Sequence, residues 1–235
     1  MVALVRSCTL VGIDAALVDV ECEVSRGLPG YSVVGLASPS VKEGAVRIKS
    51  ALNSVGHDLP LKKATVNLAP ADLRKPGCAL DLPIAVAVLI ADGVYPSDAV
   101  AELLVIGELG LDGTVRSVRG VLAAAMLARD RKLRGIVVPA ACVAEAAVVD
   151  GLDVYGVAHL AQVIEVLSGR RDWPPHPVLA RRRRVRPATD MAEVRGQDNA
   201  RLALEIAVAG GHNLLLAGPP GTGKTEDIGR PRSRL

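Results

Sequence analysis

Residues 62–93 read KKATVNLAPADLRKPGCALDLPIAVAVLIADG. The opening, KKATVNLAPADL, is a strand running into a polar loop. The closing part, LDLPIAVAVLIADG, has the length of a helix, with Pro83 suited to its first turn and Gly93 to its stop. It is apolar on every side, so this helix is predicted to be buried. A strand, a loop and a buried helix in succession indicate an α/β fold.

The same alternation continues outward. Residues 8–25, CTLVGIDAALVDVECEVS, predict two strands. Val18, Val20, Cys22 and Val24 mark one face there, and Asp19, Glu21 and Glu23 the other. GLPGYSVVGL follows as a turn and a short strand. Residues 40–54 predict a helix, with Val41, Ala45, Ile48 and Leu52 on one stripe. Beyond residue 93, LLVIGELGLDGTVRSV reads as a hairpin turning at Asp112-Gly113. GVLAAAMLARDRKL is a helix, GIVVP a strand, AACVAEAAVV a helix, LDVYGV a strand and LAQVIEVLSG a helix. Residues 1–168 therefore form one α/β domain. Residues 169–189 carry an Arg- and Pro-rich stretch without periodicity, a linker. Residues 190–235 start a second unit, with a helix from Asn199 and a buried strand, HNLLLA.

Composition narrows the class. Half of the 235 residues are apolar, yet there is no Phe, one Trp and three Tyr, so aliphatic side chains fill the core. A net charge of +3 is too small to argue nucleic-acid binding by itself. Cys8, Cys22, Cys78 and Cys142 form no C-x-x-C pair and no metal-ligand spacing, as expected of reduced, buried thiols. The amino terminus lacks the pattern of a secretory signal, and the most apolar run is far below the ~20 residues that cross a bilayer. A cytoplasmic protein with no membrane contact is expected.

HNLLLA leads into GPPGTGKT, which fits G-x-x-x-x-G-K-[ST] at every position. Gly218, Pro219, Pro220, Gly221, Thr222, Gly223, Lys224 and Thr225 are thus the predicted nucleotide site. The glycines let several N–H groups point at one anion. Lys224 adds charge for the β- and γ-phosphates, and Thr225 offers a hydroxyl to a metal ion. ATP and Mg²⁺ are the implied cofactors. Only EDIGRPRSRL follows, and Gly229 and Pro231 break any helix there. An acidic second strand, a water-positioning residue and an arginine finger have no room. The expectations are weak or absent ATP binding, no hydrolysis, and poor order after about Asp190.

Four phrases carry a specific resemblance: SRGLPGYSVVGLASPSVKEGAVRIKSAL, TVNLAPADLRKPGCALDLPIAVAVL, IGELGLDGTVR and VRGQDNARLALEIAVAGGHNLLLAGPPGTGKT. They closely resemble the YifB/ComM family of bacterial magnesium-chelatase-like AAA+ ATPases, over nearly the whole chain up to Thr225. The resemblance implies a ribosomal-S5-domain-2-like, Lon-protease-like N-terminal domain followed by a P-loop AAA+ motor. It also implies a hexameric, ATP-driven ring that processes DNA as a branch-migration helicase does. The sequence departs from the family after Thr225, which suggests a frameshift or truncation just past the Walker A motif and no hexamer for this chain.

The Lon likeness places Ala79 at the nucleophile position and Leu122 at the lysine position, so it implies no Ser–Lys dyad and no catalytic residue. Cys78 and the neighbouring Lys75 leave a cysteine hydrolase as a minor alternative. Arg170, Arg171, Arg181, Arg182, Arg183, Arg184 and Arg186 could contact DNA phosphates, or could be a solvated charged linker. A second overall reading is a stand-alone S5-like module that contacts DNA or a protein partner without nucleotide. Asp81 reads as a first-turn carboxylate and His212 as part of a connector. His57, His159 and His176 are scattered. Asp72, Arg74 and Lys75 sit in a loop with no assigned chemistry.

Overall fold

The computed structural model describes residues 2–96, 98–168, 170, 172–176 and 196–220. Its contacts divide the chain into two units, Met1–Leu179 and Ala180–Leu235.

In the first unit the strands are β1 (Val2–Val11), β2 (Asp14–Ser25), β3 (Gly30–Val34), β4 (Lys63–Ala69), β5 (Leu103–Val105), β6 (Glu108–Leu109), β7 (Val115–Arg116), β8 (Gly135–Pro139) and β9 (Asp153–Val157). Its α-helices are α1 (Pro39–Ser54), α2 (Asp81–Ala91), α3 (Val121–Asp130), α4 (Val143–Ala146) and α5 (Leu160–Leu167). Seven strands form one sheet in the order β3-β4-β2-β1-β5-β8-β9, and β6-β7 is a separate hairpin. The β1–β2 and β2–β4 ladders are antiparallel; the other four pairings in the large sheet are parallel. The fold is mixed α/β.

Alternation explains how the sheet is covered. Val18, Val20 and Cys22 of β2 and Val66 and Leu68 of β4 are buried on one face. They share a core with Ile48 and Leu52 of α1, the whole of α2 from Leu82 to Ala91 except Pro83, and Leu160 and Leu167 of α5. A second core holds Ala124, Ala125 and Ala128 of α3 with Leu104, Ile136 and Val138. Leu103 and Val105 belong to the first core and Leu104 to the second, so β5 is buried on both faces.

Two local expectations change. The stretch LLVIGELGLDGTVRSV is not one hairpin: residues 103–105 join the large sheet, and only β6 and β7 pair across the Asp112-Gly113 turn. Burial on both faces takes β5 into the sheet. The helix predicted for AACVAEAAVV is short, a 3-10 turn at Ala140–Cys142 and then four residues of α4. The chain must reverse at Gly151 (φ 76°) to bring β9 beside β8.

In the second unit, α6 spans Asp198–Gly210 and ends in a left-handed Gly211. The predicted helix forms, and its Leu202 and Ile206 are exposed. HNLLLA, predicted as a buried strand, is neither. Residues 212–217 pair with no strand among the described residues, and Leu215 is 89% exposed. A strand needs a neighbour for its N–H and C=O groups, and no described residue provides one.

Candidate functional site

Two regions were singled out by sequence. In the first, the phosphate loop, Gly218, Pro219 and Pro220 are described and exposed, following residues 212–217, which are in no strand. Gly221, Thr222, Gly223, Lys224 and Thr225 lie outside the described residues, as do Arg171, Arg181, Arg182, Arg183, Arg184 and Arg186 of the linker. Arg170 is described and exposed. The donor set of the loop suits a nucleoside triphosphate: glycine amides, one ammonium, two hydroxyls and no carboxylate.

The second region is the approach to α2, and its chemistry was largely hidden in the sequence. Lys75 is completely buried. Its Nζ donates to the carbonyl of Gly35 at 3.0 Å and to that of Pro70. Its own carbonyl accepts from Ser38 N–H at 3.4 Å. The lysine therefore ties the segment after β3 to the loop after β4. Burial lowers its pKa, opposed by the charge of Asp72. Periodicity could not expose this role, because a loop lysine reads as solvated.

Asp81 opens α2 and is 1% exposed. Arg47 of α1 donates to it through Nε and Nη2, and Leu109 N–H of β6 donates at 3.4 Å. Burial raises the pKa of this carboxyl, with Arg47 pulling the other way. The carboxylate joins three elements, a larger role than that of a first-turn acid. Gly44 makes room for it: a Cβ there would stand 2.6 Å from Asp81 Oδ1.

A cavity of about 550 Å³ lies between the starts of α2 and α3. Cys78 and Ala79 line it, together with Thr9, Ser117 and Gly120. Leu122 stands 38% exposed, its N–H bonded to Glu145 Oε1 at 2.9 Å. A cysteine nucleophile needs a base and a stabilised thiolate. Lys75 spends its ammonium on two carbonyls, and no histidine lines the cavity. Burial raises the Cys78 pKa despite Arg47. The hydrolase alternative has no support in this arrangement.

Among the described residues no cluster of His, Cys, Asp or Glu could hold a metal ion, and no helix is long and apolar enough to cross a membrane. His159 caps α5, its Nδ1 accepting from Ala161 N–H, and its Nε2 bonds Asp112 O at 2.9 Å. His57 Nε2 bonds the Tyr95 hydroxyl at 2.9 Å.

Two family models match the chain. One described as subunit ChlI of Mg-chelatase covers residues 20–142, and one described as magnesium chelatase, subunit ChlI, covers residues 190–230. Competence protein ComM of Haemophilus influenzae is 38% identical over 95% of this chain and 44% of its own length. YifB of Escherichia coli is 40% identical over 95% of the chain and 44% of its own length. An uncharacterized protein of Mycobacterium tuberculosis is 41% identical over 91% and 42% respectively. The chain thus spans less than half the length of these relatives.

Proposed function

The chain belongs to the YifB/ComM family of Mg-chelatase-like proteins, and from that membership we propose that it binds ATP with Mg²⁺ for a DNA-processing AAA+ motor. The observation that carries this reading is the complete GPPGTGKT motif, which falls inside the stretch matched at residues 190–230. The N–H groups of Gly221, Thr222 and Gly223 would hold the phosphates, Lys224 would pair with the β- and γ-oxygens, and Thr225 would meet the metal ion. Bound ATP supplies the free energy that such a motor converts to movement. The S5-like identity of residues 1–168, the linker at 169–189, a cytoplasmic location and contact of the linker arginines with DNA belong to the same reading. The name of the Haemophilus influenzae relative, a competence protein, agrees with work on DNA.

Titration calorimetry of ATP into the chain with Mg²⁺ tests the proposal, with Lys224→Ala as control. Weak binding heat should appear for the wild-type chain, be lost in the variant, and diminish when EDTA removes the metal. Identical isotherms for the two proteins would leave the loop without a nucleotide function.

A further inference from the structure

The two edges of the large sheet are finished differently. At one end β9 is covered by its own chain: His176 N–H donates to Val154 O at 2.6 Å, and Trp173 packs on Tyr155 with ring centroids 5.0 Å apart. At the other end β3 pairs with β4 alone, and no described residue hydrogen-bonds its outer side.

The register identifies the groups left over. Gly30 N–H donates to Lys62 O at 3.3 Å, and β3 runs parallel to β4 with Gly30 beside Lys63 and Val34 beside Asn67. Backbone groups alternate sides along a strand, so those of Gly30, Ser32 and Val34 face β4. Tyr31 and Val33 therefore hold their N–H and C=O groups outward.

A bare edge is ordinarily guarded by charge, by proline or by a bulge. Residues 27–41, GLPGYSVVGLASPSV, carry no charged side chain, and Pro29 stands before the strand rather than in it. Leu28 is 89% exposed, Val34 49% and Leu36 55%. Nothing in this stretch repels an identical strand, and a charged strand would find no counter-charge there.

The pattern is also self-complementary. Antiparallel apposition of two β3 strands about Ser32 sets Tyr31 against Val33 of the other copy, the residues whose backbone groups point outward. Each such pair exchanges two N–H···O bonds. A shift of one residue would set outward groups against inward ones. Tyr31 and Val33 both pack against the core under the sheet, whereas Ser32 is exposed. The centred register thus joins apolar side chains on one face. It also brings exposed Leu28 opposite exposed Leu36 at either end.

We propose that a second copy of this chain docks on the outer edge of β3, antiparallel and centred on Ser32, so that the two large sheets become one across a twofold axis. The occupant is defined by its chemistry: an uncharged aliphatic strand offering backbone groups in the matching register, which β3 itself is.

Sedimentation equilibrium of the whole 235-residue chain, from micromolar concentrations upward, tests this. The apparent mass should double as concentration rises. Ser32→Lys, at an exposed position, places two ammonium groups together on the axis and should hold the mass at that of one chain, with circular dichroism unchanged. Ser32→Cys tests the register. Directly opposed residues of a non-hydrogen-bonded antiparallel pair stand about 4.5 Å apart between Cα atoms, within disulfide reach. Mild oxidation should therefore link two copies of Ser32→Cys far faster than two copies of Gly30→Cys, a position set opposite Val34. A chain that stays single at every concentration overturns the proposal, as does a dimer indifferent to Ser32→Lys or one in which both cysteine variants link equally fast. A chain that stays single yet binds a labelled aliphatic hexapeptide gives the edge to another partner and overturns the second copy as its occupant.

Discussion

Arg47 of α1 grips Asp81 at the start of α2 with two hydrogen bonds, Nε to Oδ2 at 2.7 Å and Nη2 to Oδ1 at 3.1 Å. The same Nη2 also donates to Ser40 O at 3.1 Å, which holds the guanidinium flat against its own helix. One end of this pair is 1% exposed and the other 21%. The fork therefore works where water competes weakly, at the junction of α1, α2 and β6.

Removing only one partner leaves a buried charge uncompensated. Arg47→Met should destabilise the fold by about 3 kcal/mol, since breaking a buried pair costs roughly 3–5 kcal/mol and Arg47 is partly wet. Urea denaturation followed by circular dichroism measures it. Arg47→Met combined with Asp81→Leu should lose less than the sum of the single changes, because the pair is coupled.

Gly44 sits in the middle of α1, where alanine ordinarily adds up to about 1 kcal/mol. Here Gly44→Ala should instead destabilise by about 1–3 kcal/mol, because the new methyl would meet Asp81 Oδ1 at 2.6 Å. A higher melting temperature for this variant would contradict the packing described.

Lys75 gives a pH signature. Its folded pKa is lowered by burial, so the unfolded chain holds the proton more tightly. In the window below the ordinary value of 10.5, stability should therefore rise with pH as this group loses its proton. Lys75→Met should flatten that rise. Denaturant midpoints taken at several pH values between 8 and 10.5 give the slope for each protein, and equal slopes would refute the assignment.

The thiols should separate by burial. Cys8 and Cys22 are both pushed up to about 12 by burial, and Cys78 is the least enclosed of the four cysteines. At pH 8 in the native state Cys78 should react first with a disulfide reagent, and Cys8 and Cys22 should react only on unfolding. Peptide mapping after timed labelling identifies the order.

Much of the first unit was legible because its signals are local. Val18, Val20 and Cys22 repeat every second residue, and β2 places all three inward. Residues 82–91 are apolar throughout, and α2 buries every one. The phosphate motif is equally local, since it is a spacing of glycine, lysine and threonine. The site around α2 was not legible in the same way. Lys75 meets Gly35 forty residues away, and Arg47 meets Asp81 thirty-four away. Neither pairing leaves a period in the chain. HNLLLA misled for the complementary reason: an apolar run states what a segment would bury, and burial needs neighbours.

Composition and periodicity alone thus determined the α/β class, the sheet-facing residues, the buried helix and the nucleotide motif, because each depends on residues within a turn or two of one another. Tertiary structure alone decided that a loop lysine becomes a buried tie, that Gly44 makes way for a carboxylate, and that Arg47 reaches Asp81 across two helices. Those outcomes follow from contacts closed across long stretches of chain, where the energy of a side chain is set by its surroundings rather than by its sequence neighbours.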